Sequence, residues 1–112
     1  MDKKSAWIYC RIDAPEDTHG VLKGQYERLE TYAAQMGFTI VGSSQDLGSS
    51  LHFDHPGLQA VVEAAKTGSF QILLVDSVSR IGRDETNAKA FIKTLLSYGI
   101  TAFSPLEGKI LM

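Results

Sequence analysis

The feature that most constrains this chain is an alternation of two hydrophobic periods. Residues 6–12, A-W-I-Y-C-R-I, are aromatic and branched and are bounded by Lys-Lys and D-A-P, which reads as a strand. From about 24 to 36, Tyr26, Leu29, Ala33 and Met36 recur at three- and four-residue spacings, an amphipathic helix closed by Gly37. Residues 38–41 form a second short strand. A second helix starts in D-H-P-G-L, with Pro56 near its first turn and Leu58, Val61, Val62 and Ala65 as its apolar stripe. The apolar run 70–75 is a third strand, 84–98 a third helix with Ala88, Phe91, Ile92 and Leu95 on one face, and 100–103 a last strand. The order β-α-β-loop-α-β-α-β requires crossover connections. It therefore predicts an α/β fold: a mostly parallel sheet of about four to five strands with helices on both faces.

Two segments interrupt this pattern. Residues 13–22 carry Pro15 and Gly20 among polar residues and read as a loop. Residues 42–55, G-S-S-Q-D-L-G-S-S-L-H-F-D-H, have no periodicity and read as a long loop, either a lid or a tolerated surface loop. That loop is expected to be disordered or shifted.

At 112 residues the chain is one domain by length, with room for a single core. No apolar run is long enough to span a bilayer, and the N-terminus lacks the pattern of a secretory signal. Cys10 is the single cysteine, which excludes an internal disulfide and fits a cytoplasmic setting. His19, His52 and His55 do not have metal-ligand spacing, and no cofactor is implied. The net charge of −2 argues against binding nucleic acid by bulk electrostatics, but not against a local basic site.

The candidate site lies in V-D-S-V-S-R-I-G-R-D, residues 75–84. Arg80 and Arg83 sit three apart at a strand-to-helix turn, on one side of it, beside the free N–H groups of the incoming helix. Two planar, permanently charged donors there suit a phosphate. The alternative is a solvated ion-pair network with Asp76, Asp84 or Glu85. Arg11, at the end of the first strand, shares a face with Tyr9, opposite Ile8, Cys10 and Ile12. It is either an edge or snorkelling residue, or a third member of the same site. Ligands of open α/β sheets bind at the carboxyl ends of strands, where Arg11-Ile12-Asp13 and residues 77–83 both fall.

Together, Y-C-R-I-D near the N-terminus, Q-Y-E-R-L near 25, D-L-G-S-S-L-H-F-D-H-P-G-L and S-R-I-G-R-D resemble the serine recombinases, the resolvase/invertase catalytic domain, in order and approximate spacing. The resemblance runs from about Ala6 to Gly108. S-R-I-G-R-D is its most specific piece, close to the family's [S/D]-R-L-G-R-D. D-H-P-G-L is similar to its D-R-P-G-L.

The resemblance implies DNA strand exchange by transesterification. In the family, a serine hydroxyl attacks a backbone phosphate and arginines stabilise the charge on the transferring phosphoryl group. It implies that Arg11, Arg80 and Arg83 are those arginines, and that Gln25, Asp46, Ser49 and Asp84 support the pocket. It further implies DNA as the partner and a homodimer or tetramer as the assembly. The family continues into a long dimerisation helix and a DNA-binding domain, which the present sequence is expected to lack.

Two departures bear on catalysis. The nucleophile position, two residues after Arg11, is Asp13, and the helix-leading arginine is His55. An ionised carboxylate repels a phosphodiester and pairs with the arginines meant for it. The main reading is therefore a degenerate, catalytically impaired recombinase domain. The alternatives are an active transesterase using Asp13 or a hydroxyl such as Ser49, Ser50 or Thr18, and a small-anion or nucleotide-binding module.

Overall fold

Strand β1 (Ser5–Ile12) lies inside a five-stranded sheet of order β2-β1-β3-β4-β5, in which β2 is Thr39–Leu47, β3 Ile72–Leu74, β4 Thr101–Ser104 and β5 Gly108–Lys109. The computed structural model describes residues 4–12, 19–48, 56–81 and 85–110. β1 pairs in parallel with β2 and β3, and β3 with β4; β5 closes the edge antiparallel to β4. Helices α1 (Val21–Met36), α2 (Pro56–Lys66) and α3 (Glu85–Ser97) supply the crossovers.

The period of two along β1 divides the core. Ala6, Ile8, Cys10 and Ile12 pack with Leu22, Leu29 and Ala33 of α1. Tyr9, with Trp7 packed alongside, joins Leu58, Val61 and Ala65 of α2 and Ala88, Ile92 and Leu95 of α3. Helices thus lie on both faces, as the alternation requires.

The structure corrects the sequence reading in two places. Residues 42–47 are not loop; they continue β2, in parallel register with β1 from Trp7↔Gly42 to Ile12↔Leu47 after a shift between Ala6 and Trp7. The reason is that this half of β2 faces α2 with polar groups. Ser44 Oγ accepts the Trp7 indole N–H at 3.0 Å and donates to the Gly57 carbonyl at 2.8 Å, so hydrogen bonds do what branched side chains do elsewhere. Gly42 is required because the Trp7 ring lies where its Cβ would be. The second correction is β5: two residues carry no periodicity, and the strand is defined by its pairing with Phe103 and Ser104.

Candidate functional site

Arg11 sits at the carboxyl end of β1 and is 1% exposed. A buried guanidinium needs acceptors, and here they are backbone carbonyls of the segments leaving β2 and β3. Nε–H donates to the Arg80 carbonyl at 2.7 Å, an Nη2 hydrogen to the Ser79 carbonyl at 2.8 Å and an Nη1 hydrogen to the Gly48 carbonyl at 3.2 Å. Arg11 is therefore neither an edge nor a snorkelling residue. It is a buried clamp that carries a positive charge and fixes the turn bearing Arg80.

Gln25 explains how β1 can end there. The Ile12 carbonyl accepts from Gly48 on the β2 side, so strand alternation turns the Arg11 backbone groups toward β3. But β3 has already stopped at Leu74, opposite Ile8. The fully buried Gln25 amide takes the missing strand's place: its Oε1 accepts the Arg11 N–H at 3.2 Å and its Nε2 donates to the Arg11 carbonyl at 3.0 Å.

Asp46, opposite Arg11 on β2, is also buried. Its carboxylate receives the Gly57 N–H at 2.7 Å, the Leu58 N–H at 3.0 Å and the Tyr9 hydroxyl at 2.7 Å. It caps the first turn of α2 from outside the helix, where backbone N–H groups lack intrahelical partners and the dipole favours an anion. Burial, then the hydrogen bond to Asp46, holds the Tyr9 phenol far above its ordinary value.

Arg80 ends a short 3₁₀ turn, Val78–Arg80, just beyond β3. The turn is gripped at both ends. Arg11 holds its carbonyls, and the Glu107 carboxylate receives the Val78 N–H at 3.2 and 3.3 Å. Glu107 is fixed in turn by the buried Ser104, whose hydroxyl donates to Glu107 Oε1 and accepts the Glu107 N–H at 2.8 Å. The Arg80 side chain is half-buried. Its Nη2 lies 3.8 Å from Asp76 Oδ2, and its Nε–H is buried with no acceptor among the described residues. Asp76 is instead forked by Arg28 of α1, with Nε to Oδ1 at 3.2 Å and Nη2 to Oδ2 at 3.0 Å.

Arg11, Gln25, Asp46 and Arg80 thus converge at the carboxyl ends of β1, β2 and β3. Asp13, Ser49, His55, Arg83 and Asp84 lie outside the described residues. Sequence reasoning missed the Tyr9–Asp46 bond, Arg28 and Glu107; for Arg28 and Glu107 no local pattern distinguishes them from ordinary surface charges. Among the described residues no group of His, Cys, Asp or Glu could hold a metal ion. Chemically, the arrangement offers a rigidly mounted, incompletely satisfied guanidinium beside a buried positive charge, which suits an oxyanion.

Residues 6–107 match the family model described as Resolvase, N terminal domain. No protein of curated function matches the chain. Among solved structures, the N-terminal catalytic domain of TP901-1 integrase superposes with a TM-score of 0.83 at 22% identity, over 94% of this chain and 79% of that one. The C-terminal catalytic domain of ISC1926 TnpA, an IS607-like serine recombinase, gives 0.82 at 22% identity, over 89% and 69%. A resolvase family site-specific recombinase from Streptococcus pneumoniae gives 0.80 at 22% identity, over 95% and 74%. At these identities the structures speak for the fold; the family model speaks for the lineage.

Proposed function

The chain belongs to the resolvase N-terminal domain family, and on that premise we propose that it is a serine-recombinase catalytic domain that holds a DNA backbone phosphate without cleaving it. The observation that carries this reading is the mounting of Arg80 on a turn locked to buried Arg11, with an Nε–H that has no acceptor among the described residues. A phosphoryl transition state gains charge on its equatorial oxygens, and guanidiniums fixed in advance stabilise that charge without reorganising. In this reading Arg80 and Arg83 contact the phosphate. Arg11 acts through its charge and through the turn it holds, and Gln25 and Asp46 keep the strand ends and α2 in place.

Cleavage fails in this reading because of Asp13. Its carboxylate stands where the family carries a serine, repels the phosphodiester and competes for the same arginines. His55, in place of an arginine, removes a further permanent charge. DNA is the partner, and self-association follows the family.

The test is a denaturing gel of the protein incubated with suicide DNA substrates. No covalent protein–DNA adduct is expected from the natural sequence. Asp13→Ser combined with His55→Arg, grafted onto a relative's C-terminal helix and DNA-binding domain, is expected to form one. An adduct with the natural sequence would establish an active transesterase instead. No gain in the double variant would mean that the arginine site itself is not a phosphoryl clamp.

A further inference from the structure

The acidic residue at the centre of the arginine cluster is Asp76. It follows β3 and is 20% exposed at its side chain, between Arg28 at 55% and Arg80 at 29%. The two arginines do not share it equally. Arg28 takes both carboxylate oxygens at 3.0–3.2 Å, the planar fork that suits a carboxylate best. Arg80 stands at 3.8 Å, beyond hydrogen-bond distance. The same guanidinium carries the buried Nε–H, which has no acceptor among the described residues. Arg80 is thus under-served among the described residues, and the carboxylate within ion-pair distance of it there, Asp76, is held by Arg28 instead.

Resting on the phosphate-holding reading above, we infer that Asp76 is the resident counter-ion of Arg80 and that Arg28 restrains it, so that these two positioning residues set how tightly Arg80 takes a DNA phosphate. An incoming phosphate and Asp76 compete for one guanidinium. While Arg28 forks the carboxylate, Arg80 keeps donors to give. Without Arg28, the carboxylate is released to close on Arg80 and oppose the phosphate. Among the described residues, Arg11 donates to the carbonyls of the turn that bears Arg80, and the Glu107 carboxylate accepts the Val78 N–H of the same turn.

The experiment measures Kd for a short fluorescent DNA duplex by anisotropy, at low salt, on the 112-residue chain. Asp76→Asn is expected to tighten binding about three- to tenfold, the range for removing a half-buried competing charge. Arg28→Ala is expected to weaken it by a similar factor. The Asp76→Asn, Arg28→Ala double variant is expected to bind like Asp76→Asn alone, because Arg28 acts only through Asp76. Additive effects would overturn the inference.

Two controls separate it from bulk charge. Glu27→Gln changes net charge as Asp76→Asn does, from the neighbouring position on α1, and is expected to leave Kd unchanged; equal tightening would overturn the inference. Arg28→Lys keeps the charge but loses the fork, and is expected to weaken binding toward the Arg28→Ala value. Wild-type affinity in Arg28→Lys would overturn it, and this arm stands if Asp76→Asn does not fold. Failure of the underlying reading looks different: the natural chain would not bind the duplex, or Arg80→Ala would bind it as well as the natural chain.

Discussion

Cys10 and Tyr9 are neighbours on β1 that point to opposite faces, and each is an acid kept neutral by burial. Burial, with Asp76 nearby, pushes the Cys10 thiol up to about 11, from an ordinary value of 9.0. The unfolded chain therefore loses this proton before the folded one does. The resulting stabilisation is complete below the unfolded value and is lost as pH rises through the folded one. Tyr9, raised by burial and by Asp46, acts in the same direction at higher pH. Urea midpoints are expected to fall between about pH 9 and 11, with Cys10 contributing about 2–3 kcal/mol of the loss. Cys10→Ala should remove that share of the slope; an unchanged slope would refute the assignment. A second residue-scale prediction concerns Gly57. A Cβ there would meet Asp46 Oδ2 and the Gln45 carbonyl at 2.7 Å. Neither atom has room to retreat, because Asp46 is pinned by Tyr9, Gly57 and Leu58. Gly57→Ala should cost about 1–3 kcal/mol, read from urea unfolding, although alanine is the better helix former.

At the scale of elements, none of the three residues of the 3₁₀ turn is fully buried, and only Val78 packs against the core. Its position is set by three side chains from elsewhere: Arg11 at the carbonyl end, and Glu107 with Ser104 at the N–H end. Glu107→Ala is expected to speed hydrogen exchange at the Val78 amide at least about tenfold, while global stability falls by only about 1 kcal/mol. Unchanged exchange would show that Arg11 alone suffices. The same elements show what the sequence made legible. α1, α2 and α3 were readable because their apolar stripes repeat every three to four residues, and β1 because aromatic and branched residues fill it. The second half of β2 was not, because its inward positions are Gly42, Ser44 and Asp46, chosen to make room for a ring, bridge two groups and cap a helix. In the site, Arg11, Gln25, Asp46 and Arg80 were identifiable as residues, but not how each is used. That Gln25 imitates a strand, or that Arg28 rather than Arg80 forks Asp76, depends on contacts between residues 14 and 48 positions apart. No local period carries that information.

For the whole molecule, charge is arranged against its own average. The chain carries a net charge of −2, yet Arg28 and Arg80 lie at one carboxylate, Asp76, and Arg11 holds the turn that bears Arg80, all at one end of the sheet. On the proposed function, this cluster is a focus for phosphate on a chain whose average charge does not favour a duplex. Such a distribution has a thermodynamic signature. Each phosphate neutralised releases counterions and contributes about −0.9 to the slope of log K against log salt concentration. One or two phosphates at the cluster predict a slope between about −1 and −2, whereas a protein gripping six or more would show at least about −5. Anisotropy titrations of a duplex across a salt series measure it directly. Arg80→Ala should make the slope shallower by about one, the loss of one phosphate contact, at every duplex sequence tried. A slope steeper than about −5, or one insensitive to Arg80, would place the DNA on a different surface. The measured slope therefore decides between a focal phosphate site and a distributed one, independently of whether a strand is ever cut.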